Sequence, residues 1–211
     1  GKLQLISQQS LNNQQGAIVA GKTLSIHSTE VNNDQGLMNS LDDLGIVTSG
    51  ALTNQYGQLQ SATNLSIESD SLNNDHGDLS AQNTLAVSIN QEINNVGGHI
   101  AAFNDVNLHS NGLNNNAVSN AAGSMDVSQI GSVYGNLNID AGRGALTNQG
   151  SSLQAGRSIQ LSADGIDSSN GGYIHAVQNI ELNSQHRLNN DYGQIVADSG
   201  SIYSQSSDLS N

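Results

Sequence analysis

The phrase "LNNQQGAIVAGKTLSIHS", which begins at Leu11, returns as "LTNQYGQLQSATNLSIES" at Leu52, "LNNDHGDLSAQNTLAVSI" at Leu72 and "LNNDYGQIVADSGSIYSQ" at Leu188. Self-similarity at a fixed period constrains a fold more than local propensity does, because it implies a unit that buries its apolar face by stacking on its own copies. The apolar residue opening each phrase serves as an anchor. Anchors fall at Leu11, Val31, Leu52, Leu72, Ile93, Leu113, Leu146, Ile166, Leu188 and Leu209. The steps between them are 20, 21, 20, 21, 20, 33, 20, 22 and 21 residues, so one step alone departs from the period.

Within the repeat the columns keep their chemistry. Two residues after the anchor stand Asn13, Asn33, Asn54, Asn74, Asn95, Asn115, Asn148, Ser168, Asn190 and Asn211. One place earlier lie Asn12, Asn32, Thr53, Asn73, Asn94, Asn114, Thr147, Asp167, Asn189 and Ser210. A glycine follows at the fifth place (Gly16, Gly36, Gly57, Gly77, Gly98, Gly171, Gly193), an apolar residue at the seventh and a small one at the ninth. The phrase closes on alternating apolar pairs such as Leu24 with Ile26, and Ile159 with Leu161. Period-two alternation means strands with one buried face. The Asn- and Gly-rich stretches between them suit corners that need a left-handed backbone.

Short strands of this kind gain hydrogen bonds and a continuous core only when turns stack. The pattern predicts an all-β, right-handed parallel β-helix of about ten coils of 20–22 residues, a rod about 50 Å long at roughly 4.8 Å per coil. A left-handed hexapeptide helix would need an apolar residue every six positions, and a calcium-binding roll would need aspartates that "NVGGHI" and "NGGYIH" lack. Asn13, Asn33, Asn54, Asn74, Asn95, Asn115, Asn148 and Asn190 are expected to form a structural ladder, each amide donating to one neighbouring coil and accepting from the other.

Composition narrows the function classes. Apolar residues are 35% of the chain and charged ones 11%, with a net charge of -13. Five cationic residues against eighteen acidic ones argue against nucleic acid and against anionic lipid. No stretch is apolar enough to span a bilayer. Zero cysteines exclude a disulfide framework and thiolate metal sites.

With these columns, the chain resembles the haemagglutinin repeats of filamentous haemagglutinin and its relatives, large exoproteins exported by two-partner secretion that include contact-dependent growth inhibition effectors. The resemblance runs from Leu3 to Asn211. It implies a structural stalk of a secreted, cell-surface adhesin or inhibition exoprotein: a rod that displays distal binding or toxin modules, with roles in virulence or toxin delivery. Implied partners are the rest of the parent exoprotein, an outer-membrane transporter during secretion, and a cell-surface receptor or glycan. Residues 1–211 read as one β-helical segment of a longer chain.

The 33-residue step holds an irregular coil or loop insertion at 116–145, within which Met125 with Val127, and Leu137 with Ile139, are expected to supply apolar pairs. A milder break near "GGYIHAVQNIEL" adds one or two residues at a corner.

Chemistry is sparse. Parallel β-helices include polysaccharide lyases and hydrolases, whose sites gather carboxylates on adjacent coils. Here Asp34, Asp75 and Asp191 share a column, but Gln55 and Val96 separate them, and Asp42 and Asp43 are expected to face opposite ways. Lys22 and Arg157 lie coils apart. His27, His76, His99, His109, His175 and His186 show no ligand spacing, although His76 and His99 approach one column. No "GxSxG" occurs. "NLS" at Asn64 matches a glycosylation sequon. Tyr56, Tyr134, Tyr173, Tyr192 and Tyr203 are scattered, as ordinary strand composition allows. The reading is of a non-enzymatic chain with no cofactor, no metal and no assigned catalytic residue. Glycan or receptor binding by the segment itself is the alternative, and a carbohydrate-active enzyme the remote one.

Overall fold

Two inward side chains per short strand cannot close a core, so each strand must find its partner one turn away. The computed structural model describes residues 1–211, and its regular structure is entirely strand. Every turn supplies three strands that join three parallel sheets, two of ten strands and one of nine, giving a β-solenoid of about ten turns. The first sheet holds the longest strands, such as Leu24–Ser28, Leu44–Thr48 and Leu65–Ser69. The second carries the anchors on strands such as Val31–Asn32 and Ala51–Thr53. The third runs through Leu37–Ser40, Gln58–Ser61 and Asp78–Ala81.

Register places like over like. Leu24, Leu44, Leu65 and Leu85 stack in one line, and Ile26, Ile46, Ile67 and Val87 in the next. Leu52 lies under Leu72, and Leu72 under Ile93. Inward residues of all three sheets merge into one core of 39 buried apolar side chains. Small residues at the ninth place, Ala20, Ser40, Ser61 and Ala81, are buried where the third sheet turns toward the first. A slip of one residue in any strand would send its Leu or Ile outward, so the alternation itself holds the register.

The long step is a single turn bearing an outgrowth. Leu113 pairs directly with Leu146. Between them Gln129–Ser132 continues the third sheet against His99–Ala102, and Leu137–Asp140 continues the first against Val106–His109. The surplus residues leave the rod as an antiparallel hairpin, Val118–Ser119 with Met125–Asp126. Leu137 and Ile139 are buried. Met125 and Val127, by contrast, are 54% and 41% exposed, against expectation. The strand in register is Gln129–Ser132, whose inward Ile130 fills the core, so the alternating pair before it is carried outward.

Candidate functional site

The corner between the second and third sheets is the most built part of the surface. Asn13 Nδ2 donates to Asn33 Oδ1 at 2.7 Å, Asn33 to Asn54 at 2.7 Å, Asn54 to Asn74 at 2.7 Å and Asn74 to Asn95 at 2.7 Å. Asn95 then donates to Asn115 at 2.8 Å and Asn115 to Asn148 at 2.7 Å, across the hairpin-bearing turn. Asn33, Asn54, Asn74, Asn95, Asn115 and Asn148 are all fully buried. Each of these amides also reaches backbone carbonyls, as Asn33 does with Gly36 at 3.1 Å and Gln58 at 3.2 Å. Asn190 stands apart from the line. It donates to Asn211 at 2.6 Å, but its own Oδ1 is buried without a donor, because Ser168 occupies the preceding seat.

The asparagine one place earlier faces outward and has a different task. Asn12, Asn32 and Asn73 accept the backbone N–H two residues on, at 2.9, 2.9 and 3.2 Å, closing Asx turns that start each corner.

The left-handed residue is not the glycine. Gln15, Gln35, Tyr56, His76, Asn170 and Tyr192, each at the fourth place, have φ between 53° and 60°. Gly36, Gly57, Gly77 and Gly98 have ordinary φ. They are needed because a Cβ would come within 3.0 Å of the carbonyl of the ladder Asn one turn before, Asn13, Asn33, Asn54 and Asn74 respectively. At the milder break the chain carries an extra residue. Gly171 is itself left-handed at φ 87°, and Gly172 takes the close-approach seat against the Ser168 and Asn148 carbonyls.

The hairpin folds back onto this corner. Asp126 Oδ1 accepts from Asn120 at 2.9 Å, and its Oδ2 lies 3.3 Å from His76 Nε2. His76 Nδ1 is 2.6 Å from Asp75, and its ring stacks on Tyr56 with centroids 4.7 Å apart. His76, His99, Met125 and Asp126 line one open depression. No three metal-ligating side chains converge there or elsewhere.

The remaining ionisable residues are dispersed. Asp34 accepts the Gln55 N–H at 2.8 Å and Asp191 the Ser210 hydroxyl at 2.6 Å. Lys22 and Arg157 form no ion pair. Three further histidines each face a carboxylate: His109 with Asp140, His175 with Asp198, and His186 with Asp164, at 3.2, 3.0 and 2.8 Å. Asp42 and Asp43 do not diverge as a strand pair would. They sit in a corner, both within reach of Thr63 Oγ1, at 3.4 and 2.6 Å.

A second amide line runs along this corner between the third and first sheets. Asn104 donates to Asn83 at 2.7 Å, Asn83 to Asn64 at 2.8 Å and Asn64 to Asp43 at 2.9 Å. Asp43 terminates it, and the Thr63 hydroxyl and the Asn64 amide hold its carboxyl below the ordinary value. The sequon asparagine, Asn64, is thus committed on both sides of its amide.

Three parallel sheets, a core of stacked aliphatics and a buried file of amides define a β-solenoid repeat protein whose regular feature is structural. The family model described as "Haemagglutinin repeat" matches residues 1–55, 45–88, 77–129 and 132–206, and the chain belongs to that family. These repeats in a β-helix fit a structural adhesin-type stalk within a larger exoprotein. No curated protein and no solved structure gives a significant match. No helix is long and apolar enough to cross a membrane.

Proposed function

We propose that the chain is a stiff stalk of a secreted, cell-surface exoprotein, and that its work is mechanical: holding other modules at a distance. The observation that carries this is the uninterrupted register of the two ten-stranded sheets along the rod, kept even where the hairpin leaves it. A rod bonded at every turn resists bending through many backbone bonds between successive turns rather than through a single thick core. Export through an outer-membrane transporter by two-partner secretion belongs to the same reading. A chain without cysteine or proline carries no disulfide to reduce and no prolyl bond to isomerise while it is threaded unfolded. The parent is then an adhesin or a contact-dependent inhibition effector with its binding or toxin module elsewhere, and the segment is not an enzyme.

The test removes two whole turns, residues 52–92, so that Ile93 follows Gly50 and Ala51 in register. Surface display and target binding by the parent should persist while its reach shortens by about two strand spacings, roughly 10 Å. Loss of target binding by this deletion, with folding intact, overturns the stalk reading in favour of binding by the segment itself.

A further inference from the structure

The hairpin is tied to the rod at its base and at one further point. At the base the Ala117 N–H donates to the Gln149 carbonyl at 2.9 Å, and the Ser128 hydroxyl to the Asn116 carbonyl at 2.7 Å. Beyond it, the hydrogen bonds of residues 118–127 stay inside the hairpin, as between the Asn120 N–H and the Ser124 carbonyl at 2.8 Å. The exception is Asp126, which faces His76. Asp126 is therefore the one polar link between the body of the hairpin and the turns beneath it.

His76 is held in a fixed orientation. Its ring stacks on Tyr56 with planes 15° from parallel, and Gly97 lies against it, where a Cβ would come within 3.0 Å of three ring atoms. The side chain is 21% exposed, so solvent screens its contacts only in part. In this orientation both ring nitrogens meet a carboxylate, Nδ1 that of Asp75 at 2.6 Å and Nε2 that of Asp126 at 3.3 Å. A neutral imidazole carries one N–H and one lone pair, so it satisfies one carboxylate and turns a lone pair toward the other. The shorter contact, to Asp75, keeps the proton, and the loss falls on Asp126. Only the imidazolium donates to both.

We infer that His76 is a pH-operated latch for the hairpin: the imidazolium holds Asp126 and keeps the outgrowth folded on the corner, and deprotonation frees it to project from the rod. Docking is tied to the protonated ring. It is therefore favoured on the acid side of the histidine range, roughly pH 6 to 7, and lost as pH rises through that range. Carboxylates neutralise below about pH 4, which sets the lower limit of the latch. The other titratable groups around the ring are Tyr56 in the stack and His99, which lines the same depression with Asp78 beside it in register. His99 forms no ion pair with Asp75 or Asp126, so the contact that changes is that of His76. The latch goes beyond the stalk reading and does not depend on it.

The test follows backbone amide relaxation of residues 118–126 in the 211-residue chain at pH about 5.5 and about 8, on either side of the histidine range. In acid the order parameters should match those of the neighbouring strands, about 0.85, and at the higher pH fall below about 0.6. His76→Gln should abolish the difference. The variant folds, because Gln15 and Gln35 occupy the same fourth place with a similar left-handed φ. Asp126→Asn should abolish it too, with the hairpin docked at both pH values, since an amide donates to a bare ring nitrogen or accepts from a protonated one. His99→Gln should leave the response as it is. The inference is overturned if the hairpin of the unaltered chain is equally ordered at both pH values. It is overturned as well if the response survives His76→Gln or Asp126→Asn, or if His99→Gln removes it. The stalk reading is tested by reach and stands apart from each of these outcomes.

Discussion

Asn148 donates its amide to the Ser168 hydroxyl at 3.1 Å, and there the buried file of asparagines stops. Serine is too short to pass the bond on, which leaves Asn190 Oδ1 buried without a donor. Ser168→Asn should close the gap and raise stability by about 1 kcal/mol. The check is the urea midpoint, together with amide exchange in the turns holding Asn148 and Asn190. An unchanged midpoint with unchanged exchange would mean that the file adds nothing there.

Breaking the file in the middle is the converse experiment. Asn74→Ala removes one acceptor of Asn54, whose amide keeps the Gly57 and Asp78 carbonyls, and the donor to Asn95, whose buried Oδ1 is stranded at about 1–3 kcal/mol. Asn73→Ala, one residue away, loses an outward Asx turn and the bond from Asn94, and should cost about 1 kcal/mol. Equal losses for the two variants would contradict the distinction between the inward and outward columns.

Two adjacent residues at each corner should respond with opposite sign. Gln35 is exposed and left-handed at φ 57°, so Gln35→Gly relieves a steric cost of about 1 kcal/mol. Gly36→Ala drives a Cβ into the Asn13 carbonyl and should destabilise by about 1–3 kcal/mol. Thermal melts of the two variants decide the matter. A stabilising Gly36→Ala would sink the account of why glycine recurs.

The division between what was legible in the sequence and what was not follows from range. Leu24 with Ile26, and Asn13 with Asn33, repeat at fixed spacing, so the stacking and the amide file can be read from the period. The fourth-place residue cannot. Gln35, Tyr56 and His76 share no chemistry, and their left-handed φ is imposed by the turns above and below. Met125 and Val127 alternate like a core pair; only the pairing of His99 with Gln129 shows that the strand starts later. The line from Asn104 to Asp43 was available as a column, but those corners vary by one residue, which blurs it. His76 and Asp126 meet from separate turns, to which a single repeat is blind.

Asp43 gives the corner between the third and first sheets a pH dependence. Its folded carboxyl titrates below the unfolded one because Thr63 and Asn64 donate to the charged form. Ionisation therefore favours the folded state above the ordinary carboxylate range, and that contribution fades as pH falls through the folded value. Between neutral pH and pH about 5 the corner should be indifferent, and below about pH 4 its amide exchange should quicken. Asp43→Asn should abolish that acid response. A wild-type corner that loosens on raising the pH instead would reverse the sign and refute the assignment.

The hairpin should prove an addition to the rod rather than part of it. Asn115 and Gln129 already hold their places in the file and the third sheet, so replacing residues 116–128 by Val-Gly-Gly, the three residues between Asn95 and His99, leaves every parallel pairing available. A shorter surface loop lowers the entropy of closure slightly, but the exchange also removes buried Ser128, which accepts the Gly97 N–H at 2.7 Å, and Asn116, which accepts the Gln149 N–H at 2.7 Å, so stability should fall by about 1–3 kcal/mol with the fold kept. His76 would lose Asp126 but keep Asp75 and its stack on Tyr56. Its ring resonances should therefore shift in the replacement and in Asp126→Ala alike, while those of His109, on the first sheet, stay put. A cooperative loss of strand signal on removing the hairpin would show that the turn needs its outgrowth to close, and that the register from Leu113 to Leu146 is held from outside.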